Sequence, residues 1–113
     1  MKILRSLLPL AVLAVSALAA AADVPPGNEF TLTIRDHKFE PAELIVPAGQ
    51  KVKIKVVNAD ATPEEFESHE LNREKVIPGK ATGMVFVGPL KPGEYPFFGE
   101  FNPKTAQGKL IAK

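Results

Sequence analysis

The 113-residue sequence contains no cysteine and no tryptophan, one tyrosine, two methionines and two histidines. Without cysteine there is no disulfide framework and no thiolate for a soft metal ion, so stability has to come from packing, helped at most by a metal. Two histidines and no cysteine also leave few arrangements of nucleophile and base, which argues against a hydrolytic enzyme. An excess of charge of one sign is lacking too. The 14 basic residues face 13 acidic ones, a balance without the basic footprint of a nucleic-acid binder. There is no internal repeat, no low-complexity tail and no long helical period. Proline and glycine are abundant, at 11 and 8 residues, and between short apolar runs they favour many strands joined by turns.

At the N-terminus Lys2 and Arg5 precede LLPLAVLAVSALAA, from Leu7 to Ala20, an apolar run that ends in alanines. This predicts a secretory signal peptide over residues 1–22, with cleavage after Ala20-Ala21-Ala22 and before Asp23. A membrane anchor would need about 20 apolar residues, and this run is shorter and interrupted by Pro9. Cleavage would leave residues 23–113 as one small domain with one core. Loss of Lys2 and Arg5 would leave 12 basic residues against 13 acidic.

Period-two alternation marks the strands. Residues Phe30 to Arg35 (FTLTIR) alternate threonine with apolar side chains, the mark of a half-buried strand. The turn DHKFEP follows, then a short strand ELIV from Glu43 to Val46, closed by Pro47-Ala48-Gly49. In KVKIKVVN, Lys51 to Asn58, the expectation is that Val52, Ile54 and Val56 face the core. Lys51, Lys53 and Lys55 then form a solvated face that blunts edge aggregation. Two further strands are expected from about Ala81 to Val87 and Glu94 to Phe98, and a last one from Gly108 to Ala112. About seven to eight short strands in a domain of this size predict an all-β Greek-key sandwich.

The segment Asp60 to Glu74 (DATPEEFESHELNRE) breaks the regularity with six carboxylates and one histidine around Phe66. Glu65 and Glu67 are two residues apart, so on a strand both point to one face, where they can approach one ion, and Phe66 faces the core. A solvated strand face is the ordinary explanation of such a pair. His69 shares the parity of the two glutamates. On a straight strand it lies about 13 Å from Glu65, at ~3.3 Å per residue, and outside the same coordination shell.

The stretch IRDHKFEPAELIVPAGQKVKIKVVN resembles the first half of the cupredoxins, with a D-x-x-F-x-P turn, a strand, a P-x-G turn and a strand ending in Asn58. The second half is similar through PGEYPFF, which matches the strand entering the family's metal loop. The resemblance runs from Phe30 to near the C-terminus and implies a cupredoxin-like domain over residues 23–113. It also implies where copper would be held. Glu64 stands at the first histidine position, Gly99 at the cysteine, Asn102 at the second histidine, and the axial methionine falls near Ala106 or Gln107. A blue-copper site needs a thiolate, two imidazoles and a weak axial ligand, and none of these residues supplies one.

In the family the residue after the cysteine lies beside the residue after the first histidine, which implies that Glu100 meets Glu65. A site of Glu65, Glu67 and Glu100 is hard and rich in oxygen. Three close carboxylates repel one another and raise their pKa values until a cation relieves them. Iron or manganese suits that donor set better than Cu(I), while Cu(II) would want an added imidazole. The resemblance places the turn carrying His37 at the metal end, which makes it a candidate nitrogen donor as well as an exposed turn histidine. Met84 is expected on a strand beside the metal strand, either as a thioether ligand or as a core methionine.

Within the fold, TPEEFESHELNREKVIPG (Thr62 to Gly79) and PFFGEFNP (Pro96 to Pro103) are similar to the small periplasmic cupredoxins of Ftr-type ferrous-iron uptake systems. They are more distantly similar to the cupredoxin-like domain of EfeO proteins. That resemblance implies a periplasmic protein binding iron, and copper besides. It would pass on or oxidise the iron for an inner-membrane permease, alongside a periplasmic iron-binding partner. Two other readings stay open: a copper chaperone or electron carrier using Met84, His37 and His69, and a structural sandwich that binds no metal.

Overall fold

The computed structural model describes residues 24–113; the expected signal peptide lies outside them. Nine strands make two sheets, with no helix among the described residues. They are β1 (Glu29–Arg35), β2 (Lys38–Glu40), β3 (Glu43–Val46), β4 (Val52–Asn58), β5 (Glu64–Ser68), β6 (Arg73–Ile77), β7 (Thr82–Val87), β8 (Gly93–Gly99) and β9 (Gln107–Ala112). The four-stranded sheet runs β2-β1-β4-β7 and the five-stranded sheet β3-β9-β8-β5-β6. Two of the pairings, β1 with β4 and β3 with β9, are parallel. The all-β sandwich expected from the alternation is therefore the fold.

The core lies where the inward parities of the two sheets meet. β4 buries Val52, Ile54 and Val56 and turns Lys53 and Lys55 outward, as its alternation predicts. Opposite them, Phe66 of β5 and Phe97 of β8 pack with Phe39 of β2, with ring centroids 5.0 to 6.1 Å apart. Two of the three contacts are edge-to-face, the geometry that the ring quadrupoles favour.

Two strands were not foreseen at all, and β5 was considered only as the condition that brings Glu65 and Glu67 to one face. β2 is three residues inside the DHKFEP turn, and it forms because Asp36 and His37 make a two-residue hairpin loop with φ of 54° and 58°. Positive φ at both loop residues matches the right-handed twist of the flanking strands. The Asp60 carboxylate holds this loop by accepting from the backbone N–H of Asp36 (2.8 Å) and of His37 (2.9 Å). The second unforeseen strand is β6, which turns the acidic segment into a hairpin with β5. Its loop is closed by Ser68, whose Oγ accepts from Leu71 N–H at 3.1 Å and donates to the Pro96 carbonyl at 2.7 Å.

The approach to this hairpin is fixed from below by Asn58. Buried at the end of β4, its Nδ2 donates to the carbonyls of Thr62, two residues before β5, and Ile77, the last residue of β6, at 2.9 and 3.1 Å. The acidic hairpin is thus anchored to the core at both ends.

Candidate metal centre

β5 carries two opposite sets of side chains. Glu64, Phe66 and Ser68 are buried, while Glu65 and Glu67 lie on the outer face and are half-buried. Antiparallel pairing sets Glu67 opposite Glu74 and Glu65 opposite Val76, so Glu74 is on the same outer face. Carboxylate oxygens of Glu65, Glu67 and Glu74 lie within 4.8 Å of one another. Packing like charges this closely has an electrostatic consequence. The Glu65 carboxyl is raised above its ordinary value, first by partial burial and then by the charges of Glu67, Glu74, Glu100 and Glu64.

Glu74 was missed in the sequence. Its signal was the hairpin: Asn72, in a left-handed conformation with φ of 55°, is a turn residue placed between two short runs of strand length.

The structure brings some of the expected ligands together and separates others. The backbone N–H of Glu100, just past β8, donates to the Glu65 carbonyl at 2.9 Å. Its side chain acts on Glu65 through space but stands apart from the close trio. His69 follows the end of β5 at Ser68, in the turn before β6, and is not among the three residues that come together. Its Nδ1 is 4.0 Å from Glu67 Oε2, with 76% of the side chain exposed, and its ring centroid is 5.6 Å from that of Phe98. His37 is tied instead to Asp60, with Nδ1 at 3.6 Å from Oδ2. Met84 does not stand beside the metal strand: β7 pairs with β4 in the four-stranded sheet, whereas β8 lies between β9 and β5 in the other. Nor is it a core residue, since it faces Lys55 on the outer side and is 37% exposed.

The four positions matched to copper ligands do converge. Glu64 is 1% exposed. Its Oε1 accepts from the N–H of Glu65 (2.9 Å) and of Phe101 (2.8 Å), and its Oε2 from Asn102 Nδ2 (2.8 Å). Gly99 is needed beside it: a Cβ there would lie 2.6 Å from Glu64 Cδ and 2.7 Å from the Cβ of Ala106. The space that these positions enclose is filled by the Glu64 carboxylate.

Comparison with known proteins agrees with this geometry. The family model described as Cupredoxin-like domain matches residues 6–112. An uncharacterized protein of Rickettsia prowazekii (strain Madrid E) is 47% identical over 83 residues, covering 74% of this chain and 66% of that protein's own length. Auracyanin A, a blue copper protein of Chloroflexus aurantiacus, superposes with a TM-score of 0.66 at 18% identity, over 75% of this chain and 98% of its own. Amicyanin from Paracoccus versutus gives 0.60 at 20% identity, over 82% and 88%. At such identities the two structures speak for the fold alone. With the family model spanning nearly the whole sequence, this chain belongs to the cupredoxin-like domain family.

Proposed function

We propose that this protein is a periplasmic metal carrier on a cupredoxin scaffold that has no type 1 copper site. Its ion is held on the outer face of the five-stranded sheet by Glu65, Glu67 and Glu74, with Glu100 beside them. The observation that carries this reading is the close approach of the three carboxylates on adjacent strands. The donors at the former copper position do not fit that metal. Glycine, asparagine, alanine and a glutamate already engaged by three N–H groups offer neither thiolate nor imidazole.

The cargo is iron. Hard, anionic oxygen donors favour Fe(III) over Fe(II), so binding lowers the reduction potential and draws oxidation forward. The protein would take up iron in the periplasm and pass it, with a separate iron-binding partner, to an inner-membrane permease of the Ftr type. The similarity of TPEEFESHELNREKVIPG and PFFGEFNP to the cupredoxins of those systems supports this placement.

The test is calorimetric titration of the mature, metal-free protein with Fe(II) under anaerobic conditions, Fe(III) citrate, Cu(II) and Mn(II). It is run beside a Glu65→Gln/Glu67→Gln/Glu74→Gln variant. One iron per chain, lost in the variant, is the expected result. Binding that survives the triple substitution would overturn the site, and a marked preference for copper would overturn the cargo.

A further inference from the structure

We infer that Glu64 is a positioning residue, which holds Glu100 against Glu65 before any ion arrives. The inference rests on reading Glu65, Glu67 and Glu74 as a metal site. One buried carboxylate joins the two segments that carry the outer glutamates. Its Oε1 takes the backbone N–H of Glu65 on one side and that of Phe101, the residue after Glu100, on the other. The Glu100 N–H closes the ring by donating to the Glu65 carbonyl at 2.9 Å.

The second oxygen extends the hold to the rest of the loop. Asn102 Nδ2 donates to Oε2, and Asn102 in turn accepts at its carbonyl from Ala106 N–H at 2.9 Å. Ala106 accepts from Gly99 N–H at 2.8 Å, where β8 ends. From Gly99 to Ala106 the loop is thus organised around Glu64.

The chemistry of the contacts explains the residue type. A buried carboxylate is costly unless hydrogen-bonded, and all three donors here are neutral N–H groups that such an anion strengthens. They also occupy most of its lone-pair directions, so the Glu64 carboxylate is not free to turn toward an ion. The outer face, with its three close carboxylates, is then the place for a metal ion. There Glu100 counts as a donor only while the loop is pinned.

The experiment is a cycle of affinities for Fe(II), measured on the wild type, Glu64→Ala, Glu100→Gln and the double variant. Hydrogen exchange at the Phe101 amide of each metal-free protein is read alongside. Outer-shell partners typically account for about 10-fold to 100-fold in metal affinity, and Glu64→Ala is expected to weaken binding by about tenfold on that scale and to unprotect the Phe101 amide. Glu100→Gln should then cost affinity in the wild type but nothing further in the Glu64→Ala background. A loss of fold stability alone would not produce that non-additivity.

Glu64→Gln serves as the conservative rescue. Its oxygen can keep the two backbone donors while its amide donates to a flipped Asn102, so affinity and amide protection should persist. Should Glu64→Ala fail to fold, Asn102→Ala, which removes the Oε2 contact alone, takes its place in the cycle. Equal effects of Glu100→Gln in both backgrounds, with metal bound by the wild type, would overturn the inference and leave the metal site standing. No binding by the wild type would overturn both, whatever the Phe101 amide reports.

Discussion

Gly99→Ala puts the packing around the Glu64 carboxylate to its severest test. The new methyl carbon would stand 2.6 Å from Glu64 Cδ, 2.7 Å from Glu64 Oε2 and 2.7 Å from Ala106 Cβ, well inside contact distance on every side. Neither neighbour can retreat easily, because Ala106 is fully buried and the Glu64 carboxylate is held by three donors. Forcing a methyl into a packed core costs about 1–3 kcal/mol. Displacing the carboxylate from even one donor adds about 1.5–3 kcal/mol, the range for hydrogen bonds to charged groups. Together they come to at least about 2.5 kcal/mol, or a fall in melting temperature of at least about 10 °C for a domain of this size. Thermal unfolding followed by circular dichroism reads it directly. In a Glu64→Ala background two of the three clashing atoms are gone, so the same substitution should cost at least about 1.5 kcal/mol less. A Gly99→Ala protein melting within about 2 °C of the wild type, or an equal cost in both backgrounds, would refute the claim that Glu64 fills this space.

The acidic face and the β1–β2 turn should give opposite pH dependences. The Glu65 carboxyl is raised above its ordinary 4.5, so the folded state binds that proton more tightly than the unfolded state. The metal-free protein should therefore lose stability as pH rises through the raised value. Glu65→Gln should flatten that slope in denaturation curves taken between pH 4 and 8, and saturating metal should flatten it likewise. Asp60 is held below its ordinary 3.8, chiefly by the His37 N–H, with the Asp36 N–H and the charges of His37 and Lys80 adding and burial opposing. Its contribution is complete above about pH 3.8 and is lost as pH falls through the lowered value. Asp60→Asn should remove that component of acid unfolding. Phe66→Ala, in the centre of the three-ring cluster, should cost about 3–5 kcal/mol in urea denaturation. A cost under about 1 kcal/mol would be inconsistent with its place in the core.

Period-two alternation made β1, β3, β4 and β7 to β9 legible in the sequence to within a residue at most ends, because their buried positions alternate and are mostly apolar, even though Ile45, Met84 and Phe86 stay exposed on the outer faces. β2 was hidden by its length, and β6 by its composition. All of Arg73 to Val76 is exposed and only Ile77 is buried, so no apolar stripe announced a strand at the sheet edge. Losing β6 meant losing Glu74, since cross-strand register alone sets it opposite Glu67.

Glu64 shows how far a parity rule reaches when it is followed through. Once Phe66 is assigned to the core, residues two places away on the same strand must face inward as well, and these are Glu64 and Ser68. Hydrophobicity says the opposite of both. The conflict has one physical resolution, which is that each buried polar group finds partners. Ser68 finds them in Leu71 N–H and the Pro96 carbonyl, and Glu64 in Glu65, Phe101 and Asn102. Since three of those five partners belong to β8 or to the loop after it, the two misfit residues of β5 add side-chain ties to the backbone pairing that joins it to β8. The polar residues that obscured this strand in the sequence are therefore the same ones that position it, and with it the outward glutamates.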